Sequence, residues 1–129
     1  MKIFSLDIKN DIVDKKFIDW FVGFSDAESC FIIKKSSKKI NNFEFIFRIG
    51  LYKDDSKLLI TIQKYLGIGK IYYSGNRVFY DISKQNEIKI LLKIFERFPL
   101  NSIKHLNYLN FKFAFELYTT SFKIPEITA

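Results

Sequence analysis

The chain has 129 residues, of which 48% are hydrophobic, enough for one domain with a substantial core. Its 21 basic and 14 acidic side chains give a net charge of +7, which favours a polyanionic partner, most simply nucleic acid, over an ordinary basic protein. The single cysteine (Cys30) and single histidine (His105) exclude an intramolecular disulfide, a cysteine-based zinc cluster and a histidine-rich metal site. No apolar run approaches the roughly 20 residues that span a bilayer, so no membrane partner is expected.

The N-terminal half of the sequence predicts a helix followed by two strands. The helix extends from about Phe17 to Ala27 or Glu28, a strand occupies residues 30–36, and KKINN forms the turn. The segment FEFIFRIGLY alternates with period two, as a half-buried strand does. Its two faces carry Phe43, Phe45, Phe47 and Ile49 on one side, and Glu44, Ile46 and Arg48 on the other.

The C-terminal half predicts a second helix, a tight hairpin and two more helices. The second helix begins at Asp54-Asp55-Ser56 and ends at Gly67. GKIYYS and RVFYDIS flank Gly75-Asn76, a strong signal for a β-hairpin. Residues 86–98 have helical apolar spacing, which a proline then ends. A last helix is predicted from the spacing of Leu106, Leu109, Phe113 and Leu117.

The order α-β-β-α-β-β-α-α predicts an α+β fold with a four-stranded antiparallel sheet covered by helices on one face. The predicted limits are an N-terminal extension at 1–16, the domain at 17–118, and a C-terminal tail or linker at 119–129.

The polar faces of the two hairpins predict a nucleic-acid-binding surface. If both hairpins join one sheet, basic and aromatic side chains share that surface, and two-stranded ribbons can enter the major groove. The alternative is a merely solvated sheet face, which antiparallel sheets often have. The residues expected on this surface are Lys34, Ser36, Lys38, Arg48, Lys70, Tyr72, Ser74, Arg77 and Asp81.

The first helix presents a face that suits a second helix. Trp20, Gly23, Phe24 and Ala27 share this face on a helical wheel. Glycine inside a helix costs about 1 kcal/mol relative to alanine, so Gly23 needs a packing reason, and small residues four apart let another backbone approach closely. Glu28 points away from Asp26, so a second carboxylate near Glu28 would come from another copy of the helix.

The stretch WFVGFSDAESCF resembles the LAGLIDADG motif of intron-encoded homing endonucleases, with FVGFSDAES covering its nine positions. LGIGKI, FPLNSIKHLNYLNFKFAF and the order of elements also resemble that family, so the resemblance covers roughly residues 17–118. It implies the family's αββαββα fold, with the sheet forming a DNA-binding saddle, and site-specific cleavage of double-stranded DNA.

The resemblance also implies roles for particular residues. Glu28 occupies the acidic position that binds a divalent metal beside the scissile phosphate, and the carbonyl of Ala27 often completes the coordination. Asp26 occupies the other acidic position, whose role is more structural. Lys84 matches a basic residue flanking the active site, with the role of stabilising phosphate charge or tuning the attacking water. The expected metal is Mg²⁺, with Mn²⁺ as an alternative.

Only one motif copy is present, so cleavage requires a homodimer or a second LAGLIDADG domain. The alternative function is a non-catalytic RNA-binding protein, either an intron maturase bound to intron RNA or a structural component of an organellar ribonucleoprotein such as the mitochondrial ribosome, bound to ribosomal RNA. The abundance of Lys, Ile, Asn, Phe and Tyr, which have AT-rich codons, hints at a mitochondrial or other organellar genome.

Overall fold

The computed structural model describes residues 12–35 and 42–123 and has the predicted order of elements. A 3₁₀ turn at Lys53–Asp55 precedes the second helix. The helices are α1 Ile12–Glu28, α2 Ser56–Leu66, α3 Gln85–Arg97 and α4 Lys104–Lys123. The strands are β1 Ser29–Lys35, β2 Phe43–Tyr52, β3 Lys70–Ser74 and β4 Arg77–Ile82. The predicted α+β class is confirmed.

Two helices are longer than predicted. Helix α1 begins at Ile12 rather than near Phe17, so it crosses the predicted domain limit. Its first turns carry little apolar periodicity, but the ion pair between Lys15 Nζ and Asp19 Oδ2, at 2.9 Å, is an i,i+4 contact that favours the helix. Helix α4 likewise continues to Lys123, past the predicted limit at 118. The rest of the predicted N-terminal extension and tail, residues 1–11 and 124–129, lies outside the described residues.

Both hairpins join one antiparallel sheet of order β1-β2-β4-β3, as the binding-surface prediction requires. Gly75 has a φ of 61° in the β3–β4 turn, and Gly67 has a φ of 74° at the end of α2. These left-handed conformations explain why glycine occupies both positions. In the sheet, Asp81 of β4 lies opposite both Arg48 of β2 and Lys70 of β3.

The core lies between the helices and one face of the sheet. Phe45, Phe47 and Ile49 are buried there, as their alternation predicts. Phe43 is the exception: it is 43% exposed because it begins β2, and it packs edge-on against Tyr118 of α4. The opposite face carries the polar side chains of the two hairpins. No helix within the described residues is long and apolar enough to cross a membrane.

Helix α4 forms as predicted, but a different set of side chains makes its buried face. Tyr108, Phe111 and Phe115 are buried against the sheet, where Phe111 contacts the rings of Phe31 and Phe45. The residues whose spacing predicts the helix are all exposed: Leu106, Leu109, Phe113 and Leu117.

Candidate metal-binding helix end and nucleic-acid interface

Glu28 is the last residue of α1 and its side chain is exposed. Among the described residues, no hydrogen bond or ion pair engages its carboxylate. The carbonyl of Ala27 lies in the last turn of α1, where carbonyl groups lack a partner within the helix. An exposed carboxylate beside a carbonyl that lacks a partner within its helix supplies two hard oxygen donors, the kind that Mg²⁺ prefers.

The chain continues directly from α1 into β1, and two buried serines lie at this junction. The hydroxyl of Ser29 donates a hydrogen bond to the carbonyl of Ser25 at 2.7 Å. This bond ties the first residue of β1 back to the last turn of α1. The bond therefore stabilises the end of α1, which carries Glu28, where the helix joins the sheet.

Asp26 is hydrogen-bonded to the loop that precedes α4, and the structural role that the resemblance implies for it stays a prediction. Its Oδ1 accepts hydrogen bonds from the backbone N–H groups of Asn101 and Ser102, at 3.1 and 3.0 Å, and from the Ser102 hydroxyl at 2.9 Å. The Ser102 Oγ in turn accepts from the backbone N–H of Lys104. These bonds, chiefly that from the Ser102 backbone, lower the pKa of Asp26, and the charge of Lys104 lowers it further.

The same loop brings a cation to the end of α1 that the sequence prediction missed. Lys104 begins α4, is partly buried, and is close enough to Asp26 for its charge to act on that carboxylate. It lies 76 positions after Glu28 in the sequence, so no local pattern joins them. The only sequence feature that could have pointed to Lys104 is the segment FPLNSIKHLNY, which contains it and carries part of the family resemblance.

Lys84 occupies a different place. It is the N-cap residue of α3, and its carbonyl accepts from the backbone N–H of Ile88 at 2.8 Å. Its side chain is exposed, and no hydrogen bond or ion pair joins it to Glu28 within the described residues. Glu28 precedes β1 and Lys84 follows β4. Strands β1 and β4 lie on opposite sides of β2, so they are about two strand spacings, roughly 10 Å, apart. Its predicted role stays a prediction.

The polar sheet face brings together most of the predicted nucleic-acid-binding residues. The register places side chains from all four strands on it: Lys34, Arg48, Lys70, Tyr72, Ser74, Arg77 and Asp81. Ser36 and Lys38 lie outside the described residues. Part of this face lines a cavity of about 460 Å³ that includes Lys34, Arg48, Lys70 and Tyr72.

Aromatic rings lie among these cations. Lys70 Nζ is 5.8 Å from the centroid of the Tyr72 ring, and the guanidinium of Arg77 is 5.2 Å from that of Tyr52. Such contacts stabilise extended cationic side chains on a surface. Asp81 differs from the other members because it is only 5% exposed and pairs with Arg48.

The predicted pairing face of α1 is open in this chain. Trp20 is 39% exposed and stacks on Phe24, with ring centroids 5.0 Å apart, while Gly23 and Ala27 are exposed. Apart from its chain neighbours and the backbone of α1 itself, a Cβ built on Gly23 would meet no atom of the described residues within 4 Å. Nothing among the described residues therefore requires a glycine at this position.

No group of three His, Cys, Asp or Glu residues suited to a metal ion exists in the part of the chain that the structure describes.

Comparison with known proteins identifies the family. The LAGLIDADG endonuclease family model matches residues 21–115. The chain is 35% identical over 103 residues to the probable intron-encoded endonuclease Cox1-I1b of Schizosaccharomyces pombe, covering 77% of this chain and 27% of that protein. It is 30% identical over 94 residues to the probable intron-encoded endonuclease aI3 of Kluyveromyces lactis, covering 72% of this chain and 22% of that protein.

Comparison with solved structures gives the same family. The homing endonuclease I-TnaI superimposes with a TM-score of 0.74 at 26% identity, covering 81% of this chain and 74% of that one. The LAGLIDADG meganuclease I-AabMI, bound to uncleaved DNA, superimposes with a TM-score of 0.73 at 35% identity, covering 79% and 36%. The chain belongs to the LAGLIDADG homing endonuclease family. It spans about a quarter of the length of the curated relatives it matches.

Proposed function

We propose that this chain is a DNA endonuclease domain that cuts double-stranded DNA as a pair, either with a second copy of itself or with a second LAGLIDADG domain. The observation that carries the proposal is the end of α1. There Glu28 has an exposed carboxylate with no partner among the described residues. It lies next to the open face of α1 that contains Gly23. Two such helices packed at Gly23 and Ala27 would bring two Glu28 carboxylates together.

The proposed cofactor is Mg²⁺, or Mn²⁺ in its place, held by the Glu28 carboxylate and the Ala27 carbonyl of each partner. The metal would supply stabilisation of charge on the attacking and leaving oxygens of the phosphodiester. The protein's own part is to hold the two oxygen donors at a fixed helix end, which the Ser25–Ser29 hydrogen bond does from the buried side.

A cation near the scissile phosphate would further stabilise its developing charge. Lys104 is the candidate whose position near the end of α1 supports this role, because its backbone N–H binds the same Ser102 hydroxyl that binds Asp26. Lys84 is the candidate that the family resemblance supports. The two candidates can be tested separately by substitution, since Lys84 and Lys104 lie at the starts of different helices.

The proposed ligand is duplex DNA, bound across the polar sheet face. The basic side chains of that face and the DNA-bound state of similar solved structures support DNA over RNA. The functional domain predicted at 17–118 is proposed to include the whole of α1 and α4, from Ile12 to Lys123. An organellar, intron-encoded origin is supported by the relatives, which include a mitochondrial protein of Saccharomyces cerevisiae.

The test begins with a duplex DNA library randomised at its centre, from which the full chain carrying Glu28→Gln selects bound sequences without cutting them. The unmutated chain should then cut the selected duplexes when Mg²⁺ is added and not in the presence of a chelator. Glu28→Gln should cut at least about 100-fold more slowly while still binding, because it retains the shape of the side chain but loses the charge. Lys104→Met should slow cutting with little loss of affinity, and Lys84→Met is its matched comparison.

Three results would contradict the proposal. One is cutting by Glu28→Gln at the unmutated rate. Another is a protein that binds the selected duplexes as a dimer yet cuts nothing with either Mg²⁺ or Mn²⁺. The third is tighter binding to structured intron or ribosomal RNA than to any duplex, which would instead support a maturase or a ribonucleoprotein component.

A further inference from the structure

An acidic side chain at the centre of the polar sheet face needs an explanation. Asp81 is only 5% exposed, so little of its side chain is available to a bound ligand, and its charge would repel phosphates. A buried carboxylate also carries a desolvation cost unless partners compensate it. Its strand neighbours are both cations, Arg48 on β2 and Lys70 on β3.

The partners of Asp81 define an oriented guanidinium. Arg48 Nε donates to Asp81 Oδ1 at 2.9 Å, and Arg48 Nη2 donates to Oδ2 at 3.0 Å. The Tyr72 hydroxyl donates to the same Oδ2 at 3.2 Å. This two-bond arrangement fixes the plane of the guanidinium as well as its position.

The pairing leaves a defined set of donors free. A guanidinium has five N–H groups, and Asp81 uses two of them along the Nε–Nη2 edge. The end of the group, with one N–H on Nη1 and one on Nη2, remains available. Two parallel donors of this kind match the O6 and N7 acceptors that guanine presents in the major groove.

Aromatic packing supports Arg48 from a second direction. The guanidinium carbon of Arg48 lies 5.4 Å from the centroid of the Phe79 ring, which stacks on Tyr72. Gly50 provides the space for that ring, since a Cβ there would come within 2.8 Å of Phe79 Cε1. A larger residue at position 50 would therefore displace the ring beneath Arg48.

We propose that Asp81 is a positioning residue for base recognition, holding Arg48 so that the free end of its guanidinium contacts a guanine. This rests on the proposed function, because it requires DNA on the polar sheet face. Since the Arg48–Asp81 pair is neutral as a unit, it contributes to sequence preference and little to phosphate attraction.

Arg77 provides the contrast on the same face. Its guanidinium lies over the rings of Tyr52 and Phe79, and no carboxylate of the described residues pairs with it. An unneutralised cation of this kind displaces counterions when it meets a phosphate. Arg77 therefore contributes affinity that depends on salt.

The experiment uses the full chain carrying Glu28→Gln and duplexes selected from the randomised library. Affinity is measured against duplexes with each base pair at each position, over a series of salt concentrations. Asp81→Asn and Arg48→Ala should both weaken the preference for guanine at the same position, by about tenfold to a hundredfold. Asp81→Asn should also bind unrelated duplexes more tightly, with a salt slope steeper by about 0.9, because it leaves the charge of Arg48 unneutralised.

Two further variants and a control separate positioning from a general structural effect. Arg48→Lys keeps a charge beside Asp81 but cannot form the two-bond pair, so it should lose the same guanine preference. Adding Asp81→Asn to Arg48→Ala should change base preference no further. Arg77→Ala, the control, should reduce the salt slope by about 0.9 and leave base preference unchanged.

If Asp81→Asn or Arg48→Lys leaves the preference at the Arg48 position intact, or if Asp81→Asn weakens binding equally for every duplex, the positioning role is wrong and the endonuclease proposal stands. If no duplex is selected from the library, both proposals fail.

Discussion

Asp26 and Glu28 are two residues apart on α1, which turns their side chains by about 200° relative to each other. The difference in direction gives the two acids different chemistry. Asp26 accepts hydrogen bonds that fix the loop before α4, whereas Glu28 has no partner among the described residues. Acids at the C-terminal end of a helix are unfavourable for the helix itself, so the stability of α1 does not explain either residue.

Asp26→Asn should lower the free energy of unfolding by about 0.5–2 kcal/mol, the cost of losing a cap, because an amide accepts these hydrogen bonds less well than a carboxylate. Folding lowers the pKa of Asp26 below its ordinary value of 3.8. The contribution of Asp26 to the free energy of unfolding is therefore complete above pH 3.8 and disappears as the pH falls through the lower pKa of the folded state. Urea unfolding at neutral pH and at pH values below 3.8 measures both effects.

Glu28→Gln is the matched control, because it makes the same change to an exposed carboxylate of the same helix. It should unfold at nearly the same urea concentration as the unmutated chain. Equal effects of the two substitutions would mean that the hydrogen bonds of Asp26 contribute nothing to stability.

At the scale of elements, α4 has two faces that sequence spacing alone does not distinguish. One face carries the aromatic set Tyr108, Phe111 and Phe115, and the other carries the set Leu106, Leu109, Phe113 and Leu117. The residues of both sets recur every three or four positions. The aromatic set is buried because Phe31 and Phe45 of the sheet provide rings for Phe111 to pack against. The set containing Phe113 stays exposed.

Phe111→Ala should therefore cost about 3–5 kcal/mol of unfolding free energy, because it leaves a cavity in the core. Phe113→Ala, on the same helix but 68% exposed, should change it by less than about 0.5 kcal/mol. Thermal and urea unfolding of the two variants compares them directly. Similar losses in both would show that the exposed side of α4 is covered in solution.

Helix α1 also has an exposed face, and there the prediction concerns pairing. Gly23→Leu should abolish dimerisation or domain pairing, because the side chain separates two helices that meet at this position. The folded chain itself should be as stable as before or more stable by about 1 kcal/mol, since leucine favours helices and no other element of the described residues lies within 4 Å of the new Cβ.

Sedimentation, with and without selected DNA, measures the pairing, and thermal unfolding measures the stability. Thr61→Leu, on the exposed side of α2, is the control and should leave the assembly state unchanged. An unmutated chain that sediments as a monomer under both conditions contradicts the homodimer.

For the whole molecule, the relevant feature is the distribution of a net charge of +7. The polar sheet face gathers Lys34, Lys70 and Arg77, while the core and the helices lie on the other side of the sheet. Cations gathered on one face attract a polyanion to that face.

DNA affinity should therefore fall steeply with salt, with a logarithmic slope near −0.9 for each phosphate contact. Lys70→Ala should make that slope shallower by about one contact. Lys93 lies on α3 and lines a cavity together with Lys112 and Glu116 of α4, away from the polar sheet face. Lys93→Ala removes the same charge as Lys70→Ala and should leave the slope unchanged. Fluorescence anisotropy with a labelled duplex provides the measurement, and a response independent of salt would contradict binding through the sheet.

The sequence by itself determined the order of elements, the two hairpins and the family. These follow from short-range patterns: alternation in β2, the glycines at 67 and 75, and a motif of nine consecutive residues. Each pattern reflects the backbone geometry of a few neighbouring residues, so it needs no knowledge of what packs against it. The open face of α1 followed from the same helical geometry.

Only the tertiary structure decided which side chains meet. Lys104 lies near the end of α1 because a loop 75 positions further along the chain binds Asp26. Asp81 is withdrawn from the surface because the register of β2 and β4 sets it opposite Arg48. Such contacts depend on how elements pack, and residues far apart in the sequence carry no periodic trace of their partners. The buried face of α4 was decided in the same way, by the aromatic rings that the sheet presents to it.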